Sequence, residues 1–117
     1  MPEDFNLQAR EARLARNQAL FRSINERVEE LAETHGLTKA IGFVCECANP
    51  DCASGLIELD LNEYEEVRRD PRHFPVLADH VFPEVEDVVS DHGRYVVVEK
   101  IGVAGELVAA ADPRAAG

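Results

Sequence analysis

The chain has 117 residues, of which 45% are hydrophobic and 30% are charged, and its formal net charge at pH 7 is −11. This length and balance are typical of one globular domain and exclude a disordered chain. The negative charge argues against binding nucleic-acid phosphates through the general surface. No apolar run approaches membrane-spanning length, and the opening MPEDFNLQAR lacks the features of a signal peptide. We therefore expect a cytoplasmic protein that binds neither nucleic acid nor membrane.

The first predicted element is a long helix over residues 4–35. Apolar residues recur every seven positions along one face, at Leu7, Leu14, Phe21 and Val28. The other position of this heptad seam is polar early and apolar late, with Arg10 and Asn17 followed by Ile24 and Leu31. A seam that is complete only in its second half predicts that this half packs on the body while the first half projects. Gly36 is the predicted cap, because glycine adopts the left-handed conformation that ends helices.

These features divide the chain into an N-terminal helix, residues 1–36, and a small α+β metal-binding domain, residues 37–117. Residues 1–36 carry five Arg against seven Asp and Glu, a net charge of −2, so the body carries the remaining −9. We expect the helix to be an interaction arm for a protein partner or a second copy of the chain. A solvated helix packed on its own domain is the alternative. The predicted partner-binding residues are Leu7, Arg10, Arg13, Leu14, Asn17 and Phe21.

The next segment, residues 41–47, reads IGFVCEC and alternates in the manner of a strand. This alternation places Cys45 and Cys47 on one face. The residues that follow are rich in turn formers and contain Cys52, and LIELDL at residues 56–61 is a second predicted strand. The pattern predicts a β-hairpin whose connection carries the third cysteine.

Two short helices are predicted beyond the hairpin. Asn62 is placed as the N-cap of the first helix, and the proline after Asp70 ends it. Pro83 is placed at the first position of the second helix. Three valines give this second helix an apolar stripe, and His92 and Gly93 are expected to end it.

The remaining strands are predicted at residues 73–78 and 94–101. Pro75 cannot donate to a ladder, so the first of these is expected at an edge, whereas the three valines of RYVVVEKI predict a central position. Residues 103–111 are a further short helix, and residues 112–117 are expected to fray. The sequence therefore predicts an α+β fold with a long N-terminal helix, a small, mostly antiparallel sheet of about four strands, two short helices and a zinc-binding hairpin.

The three cysteines of the chain, Cys45, Cys47 and Cys52, fall within eight positions in a C-x-C-x4-C pattern. Thiolates converge favourably when a cation lies between them, and Zn²⁺ prefers tetrahedral sulfur and nitrogen ligands. The pattern therefore predicts a zinc site. Two alternatives stay open. Inert buried thiols leave Cys52 in a polar turn unexplained, and redox chemistry would require a disulfide between Cys47 and Cys52.

A closed zinc site needs a fourth ligand, and His80 is the first choice among the four histidines. His35 and His92 each precede a glycine at a predicted helix end and are explained as caps. If the strand at residues 73–78 stays extended beyond its end, His80 lies on the apolar, core-facing side and His73 on the other side. The predicted metal ligands are Cys45, Cys47, Cys52 and His80.

A Cys3His site is closed and has no position for a reacting water, which favours a structural site in a non-catalytic interaction or regulatory module. The sequence contains no P-loop, no dinucleotide-binding glycine pattern, no H-E-x-x-H and no G-x-S-x-G. The alternatives are a metalloenzyme with an open three-thiolate zinc site and a thiol-based redox sensor. Glu46 and Asp51 are weaker ligand candidates, because hard carboxylates suit zinc less well beside thiolates.

Three stretches, FVCECANPDC, LIELDLNEYEEVRRDPRHF and RYVVVEK, resemble a group of short, uncharacterised bacterial proteins found mainly in actinobacteria. The resemblance covers roughly residues 14–101 and includes the F-x-C-E-C-x4-C stretch. No activity is established for that group. The resemblance therefore implies only a bacterial, cytoplasmic setting.

Overall fold

A computed structural model describes residues 3–47, 49, 52 and 56–116, with side chains from residue 9 onward except at 11, 115 and 116. The described chain has an α+β fold, as expected. Its helices are α1 (Glu3–Thr34), α2 (Leu61–Arg68) and α3 (Gly102–Ala110). Its strands are β1 (Ile41–Val44), β2 (Leu56–Leu59), β3 (His73–Val76), β4 (Glu86–Asp91) and β5 (Val96–Lys100). No helix in the described ranges is both long and apolar enough to cross a membrane.

The strands form two small antiparallel sheets in place of the single sheet expected. Strands β1 and β2 make the predicted hairpin, with Phe43 opposite Ile57. The second sheet has the order β3-β5-β4, so β5 is central and β3, which contains Pro75, lies at an edge. The N–H of Glu46 donates to the carbonyl of Pro75 at 3.0 Å. This hydrogen bond links the hairpin to the three-stranded sheet and brings the cysteine segment beside the end of β3.

The apolar core is shared by both sheets and α2. Phe43 from the hairpin stacks on Tyr64 from α2, with ring centroids 4.4 Å apart and ring planes 10° apart. Phe74, Val76 and Val98 of the three-stranded sheet are fully buried in the same cluster. The cysteine-bearing hairpin is therefore packed on the same core as the rest of the body.

Helix α1 packs on the body mainly through a polar face, and of the expected apolar seam Val28 packs on the core while Ile24 and Leu31 are exposed. Buried residues recur at heptad spacing one position after that seam, at Ala15, Gln18, Arg22, Asn25, Glu29 and Ala32. Within the predicted seam, Ile24 and Leu31 are 42% and 43% exposed, while Phe21 is half-buried. One residue corresponds to about 100° around a helix, so α1 is rotated by about that angle from the expected orientation.

This rotation follows from the polar partners that the body offers to α1. The side-chain amide of Gln18 donates to the carbonyl of Glu46 at 3.0 Å. Arg22 donates to the carboxylate of Glu46 at 3.2 Å and to the carbonyl of Pro71 at 2.8 Å. Its guanidinium also lies 3.7 Å from the centre of the Phe74 ring. Buried polar groups with such partners are tolerated, whereas unpaired ones are costly.

The first half of α1 was expected to project, but it contacts the body from Arg10 onward. Arg10 forms an ion pair with Glu84 at 2.7 Å. Ala15 and Gln18, which follow within two turns, are both buried. The apolar seam was therefore a poor guide to where α1 meets the body.

The helix ends follow capping rules, with one shift of position. Helix α1 ends at Thr34, and Gly36 has a φ of +70°, as predicted for its cap. The N-cap of α2 is Asp60, two residues before the predicted Asn62. The carboxylate of Glu63 accepts the N–H of Asp60 at 2.9 Å, which completes a capping box. The same signal therefore operates two residues earlier than expected.

The segment after Pro83, expected as a helix, instead forms strand β4, which pairs with β5. Its valines are β-branched and suit a pleated surface better than a helix. The pair His92 and Gly93 belongs to the hairpin turn, where Gly93 has a φ of +80° and its N–H donates to Asp91 at 2.9 Å. A left-handed glycine ends helices and makes hairpin turns alike, so the sequence signal was ambiguous.

The C-terminal tail, expected to fray, is held by ion pairs as far as Arg114. Arg68 donates two hydrogen bonds to the carboxylate of Asp112, at 2.9 and 2.6 Å. Arg114 donates at 2.6–2.9 Å to side-chain oxygens of three glutamates, Glu26, Glu29 and Glu65. These contacts fasten the tail across α1 and α2.

The carboxyl group of Glu29 predicts a pH dependence of stability. Burial, together with the neighbouring Glu65 carboxylate, raises the pKa of Glu29 from its ordinary value of 4.5 to about 8. Between these two values the unfolded chain has lost this proton while the folded chain keeps it, so this group lowers the free energy of unfolding as pH rises. Glu29→Gln should therefore gain stability over the wild type between pH 5 and pH 8.5, measured by urea denaturation.

Glu30→Gln is the matched control, because Glu30 is the exposed neighbour of Glu29. Comparing each variant with the wild type at the same pH cancels the titrating groups that do not interact with Glu29; Glu65 interacts with Glu29 and is part of the measured effect. A stability difference for Glu29→Gln that is the same at both pH values would contradict the raised pKa.

Candidate metal centre

Two of the four candidate ligands come from the extended residues that follow β1. Cys45 and Cys47 are buried, with exposed fractions of 3% and 0%. Their alternation along an extended backbone sends both sulfurs to one side and Glu46 to the other. The hydrogen bond from Glu46 to Pro75 holds this segment against β3. Backbone hydrogen bonding alone therefore positions both thiols, without a metal ion.

His80 reaches the cysteines through a turn that the sequence did not predict. Strand β3 ends at Val76, and a 3₁₀ turn covers Ala78–His80, with the N–H of His80 donating to Leu77 at 2.9 Å. The N–H of Leu77 donates to the Sγ of Cys45 at 3.2 Å, which anchors the turn beside the thiols. The expectation of an extended strand beyond residue 78 is therefore wrong. The residue it pointed to, His80, nevertheless lies beside the cysteines.

The connection of the hairpin brings Cys52 back to the same point. Its N–H donates to the carbonyl of Asn49 at 3.1 Å, and its side chain is half-buried. The Nδ1 atom of His80 lies 3.3 Å from the Sγ of Cys52 and 3.6 Å from the Sγ of Cys45. The ligand atoms of all four residues lie within 4.8 Å of one another. The structure thus brings together the four residues that the sequence singled out.

These separations match the donor set of a tetrahedral zinc ion. Zinc–sulfur bonds of about 2.3 Å and zinc–nitrogen bonds of about 2.0–2.1 Å put tetrahedral sulfur and nitrogen ligands about 3.6 Å apart. The two sulfur–nitrogen distances of 3.3 and 3.6 Å lie close to this value. The cluster can therefore hold a metal ion.

The electrostatics of the thiols favour deprotonation at Cys47. The hydrogen bond between the two strand thiols, together with burial, raises the pKa of Cys45. The same hydrogen bond lowers the pKa of Cys47 to about 5, and a backbone hydrogen bond from Asn49 adds to the effect. Because metals bind the thiolate, this lowered pKa favours the ligating form of Cys47.

The exposed carboxylate of Asp79 and an open cleft lie next to His80. Its Nε2 atom lies 3.6 Å from a carboxylate oxygen of Asp79, on the side of the ring away from the sulfurs. The Asp79 side chain is 88% exposed, and at 3.6 Å the contact is too long for a hydrogen bond. A cleft of about 360 Å³, lined by Asn49, Asp79, His80, Val81 and Phe82, opens beside the ring and gives an ion a path to the site.

The other ligand candidates lie elsewhere. His73 Nε2 is 3.0 Å from Glu99 Oε1, and His92 stacks on Tyr95 with ring centroids 4.6 Å apart. His35 is exposed after the end of α1. Asp51 lies outside the described residues. None of the three histidines contributes to the Cys3His cluster.

Glu46, once a weak ligand candidate, belongs to the opposite side of the cysteine segment. It is fully buried, and its carboxylate accepts hydrogen bonds from Arg22 at 3.2 Å and from Asn25 at 2.7 Å. Burial raises the pKa of Glu46 and lowers the pKa of Arg22, because it removes both charges from water. The sequence contained a signal for this role, since a residue between two ligands on an extended strand must face away from them.

The predicted partner-binding residues of α1 occupy different environments. Arg10 pairs with Glu84, Arg13 is exposed, and the side chain of Leu7 lies outside the described residues. The other three are half-buried, and they are Leu14, Asn17 and Phe21. They lie together on one side of α1, next to its buried polar face.

The fold and the site define an α+β domain with a Cys3His cluster that can hold a metal ion. No protein-family model, curated protein or solved structure matches the chain.

The ligand set predicts the outcome of single substitutions. Cys52→Ser should abolish stoichiometric zinc binding, and His80→Ala should weaken it at least about tenfold, since even outer contacts of metal ligands are typically worth 10–100-fold. Zinc content of the purified protein and competition with a chromophoric chelator measure both effects.

His35→Ala is the matched control, because it removes an exposed imidazole distant in sequence from the cluster. Equal zinc affinity in the wild type and in His80→Ala would remove His80 from the site. Substoichiometric zinc together with three equally reactive thiols would remove the site altogether.

Proposed function

We propose that the protein is a small zinc-binding interaction module, in which a structural Cys3His centre fixes helix α1 to the body and α1 presents a surface for self-association. The observation that carries this proposal is the convergence of three cysteines and His80 within 4.8 Å. The proposed centre is structural, because three thiolates and one imidazole fill the four positions of a tetrahedral zinc ion.

The chemistry of the ligands favours zinc over other ions and disfavours catalysis. Thiolates select zinc, copper(I) and iron–sulfur clusters, whereas a mixed sulfur and nitrogen tetrahedron is typical of zinc. An open three-thiolate site would require His80 to stand aside, but its Nδ1 faces the sulfurs of Cys45 and Cys52. A redox sensor would lose two thiols to a reversible Cys47–Cys52 disulfide, which a thiol titration before and after chelation distinguishes.

The centre and α1 hold the same backbone from opposite sides. On the α1 side, the side-chain amide of Asn25 forms two hydrogen bonds with the backbone of Val44, one to its carbonyl and one from its N–H, both at 2.8 Å. Asn25 also donates to Glu46 at 2.7 Å, and Gln18 donates to the carbonyl of Glu46 at 3.0 Å. We call these contacts the Asn25 clamp. Zinc bound to Cys45 and Cys47 would restrict the motion of the same backbone segment that the Asn25 clamp contacts.

This arrangement predicts that the Asn25 clamp and the metal are coupled. Asn25→Ala leaves the backbone groups of Val44 without their partners, at a cost of about 1–3 kcal/mol, and should weaken zinc binding. Because such coupling is reciprocal, removing zinc should lower hydrogen-exchange protection in α1 more than in β5. Chelator competition measures the first effect, and exchange with and without zinc measures the second.

Ser23→Ala is the control for this pair of experiments, since Ser23 lies on the exposed side of α1. Unchanged zinc affinity in a folded Asn25→Ala protein, together with α1 protection that is the same with and without zinc, would contradict the coupling.

The surface for self-association is the apolar flank of α1, which lies beside its buried polar face. Leu20, Ile24 and Leu31 are exposed there, with 59% of Leu20 accessible. Leu14 and Phe21 lie beside them, half-buried. We call these five residues the outer face of α1. Apolar patches of this kind mark interaction sites, and a heptad-spaced face is self-complementary in a two-fold pair. We therefore assign the outer face to a second copy of the chain.

The double variant Leu20→Glu with Ile24→Glu should abolish this dimer and leave the melting temperature nearly unchanged. Both side chains are exposed in the single chain, where substitutions usually change stability by within about 0.5 kcal/mol. Sedimentation equilibrium over a range of concentrations gives the mass, and thermal denaturation gives the stability.

The matched control is Ser23→Glu with Leu37→Glu, which adds the same charge at exposed positions outside the outer face. A wild type that stays monomeric at millimolar concentration excludes self-association. A large fall in the melting temperature of the Leu20 and Ile24 variant would mean that these residues pack on their own body.

A further inference from the structure

A groove of about 620 Å³ lies between α2 and the three-stranded sheet, on residues that the metal centre and α1 do not use. Its apolar lining includes Val67 of α2, Val97 of β5 and Tyr95, all nearly buried, and the half-exposed Val89 of β4. The buried ring of Tyr95 is stacked on the exposed ring of His92, with planes 8° apart, and both residues line the groove. This volume lies within the range of small-molecule sites, about 300–1,000 Å³.

The polar groups around the groove are mainly acidic. Three carboxylates line it, those of Glu63, Glu66 and Asp70, against one guanidinium, that of Arg69. With histidine neutral, the lining residues therefore carry three negative charges and one positive, a net of −2. Arg94 pairs with Glu63 from outside the lining, so the groove combines apolar walls with a small excess of negative charge.

The carboxylates can exchange their present partners at little cost. Glu66 pairs with Arg69 at 3.3 Å, and both side chains are more than 70% exposed. Glu63 pairs with Arg94 at 3.2 Å, and the Arg94 side chain is 55% exposed. Exposed pairs of this kind contribute little stability. A ligand cation can therefore replace either arginine.

A further acidic point marks one end of the groove. His73 lies there with its Nε2 atom 3.0 Å from Glu99 and 3.6 Å from Asp70. His73 and Glu99 are directly opposite each other on β3 and β5, so the strand pairing fixes this contact. The carboxylates and the imidazole offer both charge and hydrogen-bond acceptors to a donor on a ligand.

We propose that this groove binds a small amphipathic cation, an amine carried on an aromatic or branched aliphatic body. The apolar part lies against Val67, Val89 and the stacked pair of His92 and Tyr95, and the ammonium group lies between Glu66 and Asp70. The ammonium group has three hydrogen-bond donors, and the carboxylate oxygens of Glu66 and Asp70 are acceptors. The site is independent of the proposed metal centre, so either can fail without the other.

The test uses three probes with the same apolar body and different charge: 2-phenylethylamine, 2-phenylethanol and phenylacetate. Each is titrated into isotopically labelled, zinc-loaded full-length chain, and amide chemical shifts are followed by NMR. We expect 2-phenylethylamine to bind at least tenfold more tightly than phenylacetate, with 2-phenylethanol between them. The shifted amides should lie in α2, β4 and β5.

Two variants and one control locate the binding. Glu66→Gln with Asp70→Asn should remove the preference for the amine, and Val89→Arg should block the groove by placing a cation at an exposed position. Glu33→Gln with Glu58→Gln removes the same charge from exposed sites elsewhere and should leave affinity unchanged. Equal affinity for amine and carboxylate, no binding at 10 mM amine, or the same loss of affinity in the control variant would each overturn the proposal.

Discussion

Residues 44–47 contact helix α1 on one side and carry two residues of the Cys3His cluster on the other, and the positions of the thiols and of α1 both depend on this segment. Alternation along the extended backbone sends Cys45 and Cys47 toward the candidate metal centre and Glu46 toward α1. The Glu46 carboxylate is fully buried and accepts hydrogen bonds from Arg22 and Asn25. A movement of this strand on one side must therefore disturb its contacts on the other.

The polar face of α1 acts mainly on orientation. Buried ion pairs often contribute no more stability than well-packed apolar residues would, but leaving one partner unpaired typically costs about 3–5 kcal/mol. Arg22 is held by Glu46, by the carbonyl of Pro71 and, at 3.8 Å, by Asp112. Turning α1 by one residue would break all of these contacts at once. We infer that this polar face sets the rotation of α1, and that the exposed outer face is the consequence.

The contrast between what the sequence predicted and what it missed has a physical pattern. The hairpin, the cysteine geometry and the Gly36 cap depend on neighbouring residues, so alternation and turn chemistry predicted them. The buried face of α1 depends on Glu46 and Asp112, which are distant in sequence, so the apolar heptad prevailed in the prediction. Strand β4 was assigned as a helix because its valines fit either period. His80 was selected by strand parity, but a 3₁₀ turn brings it to the cysteines.

The proposed zinc centre and the proposed self-association of α1 are energetically consistent with each other. Burying a leucine or isoleucine side chain contributes about 1.5–3 kcal/mol, so exposing Leu20, Ile24 and Leu31 leaves a sizeable part of this unused. A small domain that forgoes apolar burial needs another source of stability. Structural zinc binding supplies about 10–16 kcal/mol in zinc-finger peptides, which is large enough to fill that place. Self-association would then bury these three side chains between two copies. The buried polar face of α1, the proposed metal centre and the outer face are therefore consistent with one another.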